Sequence, residues 1–312
     1  MTGAPAGAPN PAAERTRMLQ RMKNAARTVR GDDPVRRVHL VVSMDRFLQR
    51  MLATTTWGDW ILKGGYANQP LAPSEARFTE DVDLKLDAPI GRAKAVITAA
   101  AQHDLDDGFM FEVAGEPRPL LGPLGGGLRF VIVARLWGSE FVRFKVDVSS
   151  ADAVVGEVEQ HRSDPIVEAL GYERGLFPVY PVAQQFAEKL HAYTRPRDVE
   201  NTRAKDLADM LWLAGRCSFT SRALVEAGIA TFGRRGEHPW PPAPAPPPVA
   251  WARQYAALRR EMDLAPETPL AAYEALLPFL APVLASDTTL RWSPTTATWA
   301  DDAVAARQDD ET

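Results

Sequence analysis

The stretch Asp81-Val82-Asp83-Leu84-Lys85-Leu86-Asp87 alternates strictly, with Val82, Leu84 and Leu86 to one side and Asp81, Asp83, Lys85 and Asp87 to the other. A period of two predicts a half-buried β-strand. On such a strand Asp81 and Asp83 project from one face, close enough to repel one another. A cation between them removes the repulsion, so the pattern suits one or two divalent metal ions. The same spacing recurs at Asp104-Leu105-Asp106, in an acidic helix end before Gly108. A solvated turn accounts for that second match. The neighbourhood of Asp81 and Asp83 sets the first match apart.

Upstream, Trp60-Ile61-Leu62 reads as a short apolar strand that runs into Lys63-Gly64-Gly65. Glycines that end a strand and open a helix let backbone N–H groups approach a triphosphate, and a helix N-terminus favours the anion. Downstream, Leu128–Trp137 and Phe141–Val148 read as two longer strands joined at Gly138-Ser139. In the second, Val142, Phe144, Val146 and Val148 share one face, and Arg143, Lys145 and Asp147 share the other. Pairing of this strand with Asp81–Asp87 would bring Asp147 beside the carboxylate pair. Three carboxylates from two strands make a two-metal site for phosphoryl or nucleotidyl transfer. The glycines Gly125-Gly126-Gly127 precede a strand rather than a helix, and read as a strand-entry turn.

Working outward, residues 1–13 (MTGAPAGAPNPAA) carry almost nothing to bury and read as disordered. Helical periodicity covers Arg15–Arg30, Val38–Ala53 and Arg92–His103, with a weaker strand at Gly108–Val113. Beyond about residue 150 the stripes are helical: Val182–Tyr193, Thr202–Cys217, Ser221–Phe232, Val249–Met262 and Pro269–Leu284. Seven prolines between Pro239 and Pro248 predict an extended segment. The expected division is a core domain over residues 14–150, a helical domain over 151–290 containing the proline segment 239–248, and an acidic tail over 291–312.

A second polar cluster lies in the helical part. Phe186 and Leu190 form a core stripe that turns Gln185 and Lys189 elsewhere, while Leu207, Met210, Leu211 and Ala214 leave Asp206 and Asp209 on a shared face. Taken bare, Lys189 is a surface lysine and Asp206 a surface carboxylate.

Composition narrows the class. A single cysteine, Cys217, excludes an intrachain disulfide framework and a cysteine zinc cluster. The five histidines lack ligand spacing. No apolar run reaches the roughly 18 residues of a membrane span, and the first residues lack a secretory pattern. The expectation is a cytoplasmic protein with no membrane partner. The net charge of −4 argues against nucleic acid as a partner. Its distribution removes that exclusion. The last twelve residues alone sum to −4, and residues 15–37 hold eight basic residues against two carboxylates, a local +6. Such a stretch suits a phosphate backbone.

Five ordered motifs now stand together: Leu62-Lys63-Gly64-Gly65; Arg77-x-Thr79-x-Asp81-Val82-Asp83-Leu84; Lys145-Val146-Asp147; Glu188-Lys189-Leu190-His191-Ala192; and Arg203-x-Lys205-Asp206-Leu207-x-Asp209. Their order over about residues 35–215 resembles the AbiEii/AbiGii toxin family, nucleotidyltransferase-like proteins of abortive-infection and MenAT toxin–antitoxin systems. The resemblance implies an α+β fold: a minimal nucleotidyltransferase of the DNA-polymerase-β type, with a mixed sheet, flanking helices and a helical C-terminal region. By resemblance Lys63, Gly64, Gly65 and Thr79 hold the nucleoside triphosphate, and Asp81, Asp83 and Asp147 bind Mg²⁺. Lys189 neutralises the phosphates, and Asp206, in preference to Asp209, completes the site near the attacking group or the lysine. Thr79 stands where the family usually has serine and keeps the hydroxyl. Tyr66 departs from the small residue that commonly follows the glycines. The implied partners are an NTP, the 3′ end of tRNA as acceptor and a cognate antitoxin. A small-molecule acceptor, as in aminoglycoside nucleotidyltransferases, and a nucleotide-binding module without turnover are the alternatives. The former proteins typically carry Gly-Ser at the glycine pair and lack the Lys189 and Asp206 motifs.

Overall fold

Capping residues set the first two helices. The computed structural model describes residues 10–68, 77–120, 126–152, 154–198 and 201–303. Helix α1 (Pro11–Ala25) starts where Asn10 accepts a hydrogen bond from Ala12 N–H and Pro11 fills the first turn, and it buries Met18 and Met22. The helix therefore begins inside the stretch expected to be disordered, of which residues 1–9 lie outside the described residues. Helix α2 (Pro34–Thr54) repeats the device, with Asp33 accepting from Arg36 N–H, and starts four residues before the expected Val38. Apolar periodicity misses such starts because a capped first turn need not be apolar.

Next come β1 (Trp60–Lys63), the single turn α3 (Gly64–Ala67), β2 (Asp81–Leu86), α4 (Ala93–Gln102), β3 (Phe109–Val113), β4 (Arg118–Leu120), β5 (Gly127–Leu136) and β6 (Ser139–Ser149). After them β7 (Glu159–Arg162), α5 (Pro165–Ala169) and β8 (Leu176–Val179) complete an eight-stranded sheet. The strand order is β3-β5-β6-β2-β1-β8-β7, with β4 pairing β5. β2 runs parallel to β6 and β1 parallel to β8, while β1–β2, β3–β5 and β5–β6 are antiparallel. Val82, Leu84, Val146 and Val148 enter one core with Phe47, Met51 and Ile97 of the helices. The alternation of β2 thus sends its aspartates to the opposite side.

The chain forms two compact units. The first takes in the described residues up to Leu120, then Gly126–Ser150 and Gln160–Val179. Its boundary differs from the expected cut at residue 150, because Leu170, Phe177 and Val179 are buried in the first core and Val179 pairs with Leu62. The second unit contains α6 (Val182–Thr194), α7 (Ala204–Ala214), β9 (Phe219–Thr220), α8 (Ser221–Arg235), α9 (Ala252–Met262) and α10 (Pro269–Leu284), then β10 (Leu290–Ser293) and β11 (Thr298–Asp301). The last two strands occupy ground expected to be acidic tail. Trp292 and Trp299 explain this: both rings pack on Phe279, and their indole N–H groups donate to Ala214 O and Phe279 O. Residues 304–312 lie outside the described residues. The proline segment is held within this unit, with the Tyr193 and Tyr273 hydroxyls donating to the carbonyls of Ala245 and Pro244.

One irregularity matters for the site. The β5–β6 hairpin turns at Trp137-Gly138, both with positive φ, one residue earlier than the expected Gly138-Ser139. Arg135 then pairs with Glu140, but Ala134 pairs with Val142, a bulge that leaves Phe141 over and shifts the register by one. Beyond the bulge Arg129 stands opposite Asp147.

Candidate active site

Strand register assembles a row of charge across the first unit's sheet. Lys63 of β1 pairs with Asp83 of β2, Asp83 with Asp147 of β6, and Asp147 with Arg129 of β5. One step along, Asp81 pairs with Lys145. Residues paired laterally point to the same face, so each carboxylate has a cation opposite it on a neighbouring strand.

The three pairings are unequal. Both oxygens of Asp147 accept from Arg129, at 2.7 Å from Nε and 2.6 Å from Nη2, a closed bidentate fork. Lys145 Nζ lies 3.4 Å from Asp81 Oδ1, and that buried oxygen has no hydrogen-bond partner among the described residues. Burial, above all, pushes the Asp83 carboxyl up to about 6; Asp147 and Asp81 add to the rise, against Lys63 and Arg77. An under-satisfied oxygen on Asp81 and a carboxylate disfavoured in its charged form on Asp83 both fit a divalent cation between them. Mg²⁺ is commonly held by one or two carboxylates together with water and substrate phosphate. Among the described residues no three carboxylate, imidazole or thiol groups converge where a metal ion could sit. The expected third ligand, Asp147, is on the right face, but its oxygens are taken.

The glycine pair is tied to this row. Gly64 has φ +70°, and a Cβ there would lie 2.0 Å from Asp83 Oδ2. A Cβ at Gly65 would come within 3.2 Å of Arg77 Nη2 and the Thr79 side chain. Thr79 Oγ1 in turn lies 3.4 Å from Asp81 N, accepting its N–H. Lys63, Gly64, Gly65 and Thr79 therefore share one corner with Asp81 and Asp83. Tyr66 turns away from this corner: its ring is buried and its hydroxyl donates to Val41 O at 3.2 Å. Gly64→Ala should lower activity by about 10²-fold, the effect of moving a reacting group by roughly 1 Å. Left-handed backbone at alanine costs a further 1–2 kcal/mol or so. Steady-state kinetics beside a melting curve separates the two effects, and full activity in Gly64→Ala would contradict the packing against Asp83.

In the second unit Lys189 and Asp209 are both buried, and Lys189 Nζ donates to Asp209 Oδ2 at 2.5 Å. The surface reading of Lys189 is thus corrected: α6 and α7 cover it. Asp206, the residue preferred from the sequence, lies instead 3.6 Å from Arg203 Nη1 in the first turn of α7. Sequence reasoning missed Arg129 altogether. Its one local signal is its place on the charged side of β5 with Arg135, which names no partner.

Carboxylates on one strand, beside a glycine turn at the end of the next, suit transfer of a nucleotidyl group from a triphosphate, and the chain is a nucleotidyltransferase. It belongs to the family described as nucleotidyl transferase AbiEii toxin of type IV toxin–antitoxin systems, whose model matches residues 46–291. Among solved structures it is similar to MenT4, the nucleotidyltransferase toxin Rv2826c of Mycobacterium tuberculosis H37Rv. That match has 20% identity and a TM-score of 0.54, and covers 88% of this chain and 98% of the other. It carries the fold. An H. pylori protein described as a candidate nucleotidyltransferase aligns at 16% identity and a TM-score of 0.38, over 78% of this chain and 94% of the other. No curated protein sequence matches the chain. Among the described residues no helix is long and apolar enough to cross a membrane.

Proposed function

We propose that this toxin uses Mg²⁺ to transfer a nucleotide from an NTP to the 3′ end of tRNA, blocking translation and growth in the cytoplasm until a cognate antitoxin restrains it. The observation that carries the reading is the charged row Lys63–Asp83–Asp147–Arg129, with Asp81 beside it and Gly64 packed on Asp83. Asp81 and Asp83 would hold the metal ion. When bound, Mg²⁺ supplies Lewis-acid stabilisation of the triphosphate and lowers the pKa of an attacking hydroxyl. The chain's own groups do the rest: Gly64 lets Asp83 pack against the turn, Gly65 does the same for Arg77 and Thr79, Thr79 fixes the backbone of Asp81, and Lys63 and Lys145 offset carboxylate charge. By resemblance to the family Lys189 is a further cation for the phosphates; within its own unit Asp209 rather than Asp206 holds its ammonium. The test is label transfer from each NTP to total tRNA with Mg²⁺, against the same mixture with a chelator. Transfer that survives chelation would refute the metal, and label in no RNA would refute the acceptor.

An RNA acceptor is favoured by α1. Met18 and Met22 hold one side of this helix to the core, while Arg17, Arg21 and Lys23 on it and Arg27 just beyond its end are exposed. No carboxylate interrupts the sequence between Glu14 and Asp32. Reversing Arg21, Lys23 and Arg27 together to glutamate should weaken tRNA binding at least about tenfold. Each lost phosphate contact takes roughly 0.7–0.9 from the slope of log K against log salt. NTP binding should not change. Unaltered tRNA affinity and slope would remove α1 from the interface.

A further inference from the structure

The expectation of three metal-binding carboxylates meets a specific obstacle. In strand register Asp83 and Asp81 stand opposite the lysines Lys63 and Lys145, whereas Asp147 stands opposite Arg129, whose guanidinium occupies both of its oxygens at 2.7 and 2.6 Å. A lysine is a point charge that leaves carboxylate oxygens open. An arginine fork matches the carboxylate edge and closes it. Among the described residues Asp81 keeps an oxygen without a hydrogen bond, whereas both oxygens of Asp147 accept one.

We propose that Arg129 removes Asp147 from metal coordination and itself stands as a fixed cation beside Asp81 and Asp83, so that the site binds one divalent ion rather than two. This rests on the nucleotidyltransferase reading of the Asp81–Asp83 pair and deepens it. Two features of the chain support the fixed placement. The bulge between Ala134 and Arg135 brings Arg129 opposite Asp147, and without it the register would set Val146, an inward residue, against Arg129. The charge also balances locally. Arg129 neutralises Asp147, and Lys63 and Lys145 face Asp83 and Asp81. Arg129 is thus a positioning residue for Asp147 and a permanent counter-ion for the site.

The experiment is a Mn²⁺ titration of the full chain, read by the electron paramagnetic resonance of free Mn²⁺, without nucleotide. The expected result is one ion per chain. Asp147→Asn, which leaves Arg129 one oxygen but no neutralising charge, should weaken binding clearly less than Asp81→Asn, which should weaken it at least about tenfold. Arg129→Met should free Asp147 and either add a second ion or tighten binding at least about tenfold. Arg129→Met combined with Asp147→Asn should return to one ion at the original affinity, which a general loss of fold would not do. Two ions in the unaltered chain, or an Asp147→Asn loss equal to that of Asp81→Asn, would overturn the proposal while leaving the metal reading intact. No ion in the unaltered chain, or binding indifferent to Asp81→Asn, would overturn both.

Discussion

Asp81→Ala should reduce nucleotidyl transfer on the order of 10³-fold while leaving the fold in place, equivalent to about 4 kcal/mol of transition-state stabilisation. The stability half of this expectation comes from the structure. Asp81 is partly exposed, and among the described residues its Oδ1 makes no hydrogen bond that truncation would break. Asp83→Asn gives a complementary test. The folded-state pKa of Asp83 is raised to about 6, chiefly by burial, so its ionisation costs folding free energy. The sign follows: stability of the metal-free chain should fall as pH rises from about 4 to about 6, then level off. Asparagine carries no such charge, so Asp83→Asn should melt higher than the parent at pH 8 and lose the pH-dependent drop. Activity should collapse in both variants. Label transfer that persists undiminished in Asp81→Ala sinks the site assignment. A lower melting temperature in Asp83→Asn would show that the ionised carboxylate stabilises the fold.

The second large effect falls on stability. Asp209→Ala should destabilise the chain by about 3–5 kcal/mol, because it strands the buried Lys189 ammonium without its partner. Asp206→Ala should cost less than about 1 kcal/mol, the range of a partly exposed pair near a helix N-terminus. Replacing the pair together, as Lys189→Met with Asp209→Leu, should recover most of the loss, since neither charge is then left buried. Urea denaturation of the three variants beside the parent settles the order. Equal losses for Asp206→Ala and Asp209→Ala would place Lys189 between both carboxylates.

Legibility followed the range of the interaction. The strand Asp81–Leu86, the long pair β5 and β6, and the core stripes of α6 and α7 were readable because their periods are imposed by backbone geometry within a few residues. The capped starts of α1 and α2 were missed, although Asn10-Pro11 and Asp33-Pro34 carry the local signal. Trp292 and Trp299 could not be placed, since what draws them in, Phe279 and Ala214, lies far away in sequence. The same distance hid the choice between Asp206 and Asp209. Both lie on one side of α7, and only the packing of α6 against it decides which one Lys189 meets.

By itself, the sequence determined which residues share a face. Asp81 stands with Asp83, and Lys145 with Asp147, because successive side chains of any strand point to opposite sides. What lies across from each was decided only by the tertiary structure. The turn at Trp137-Gly138 and the bulge after Ala134 together fix the β5–β6 register, and a slip of one residue would turn Arg129 away from Asp147. Alternation is a local property of extended backbone. Register is a property of turns, bulges and the core that selects among them, and the Arg129–Asp147 fork exists through register alone.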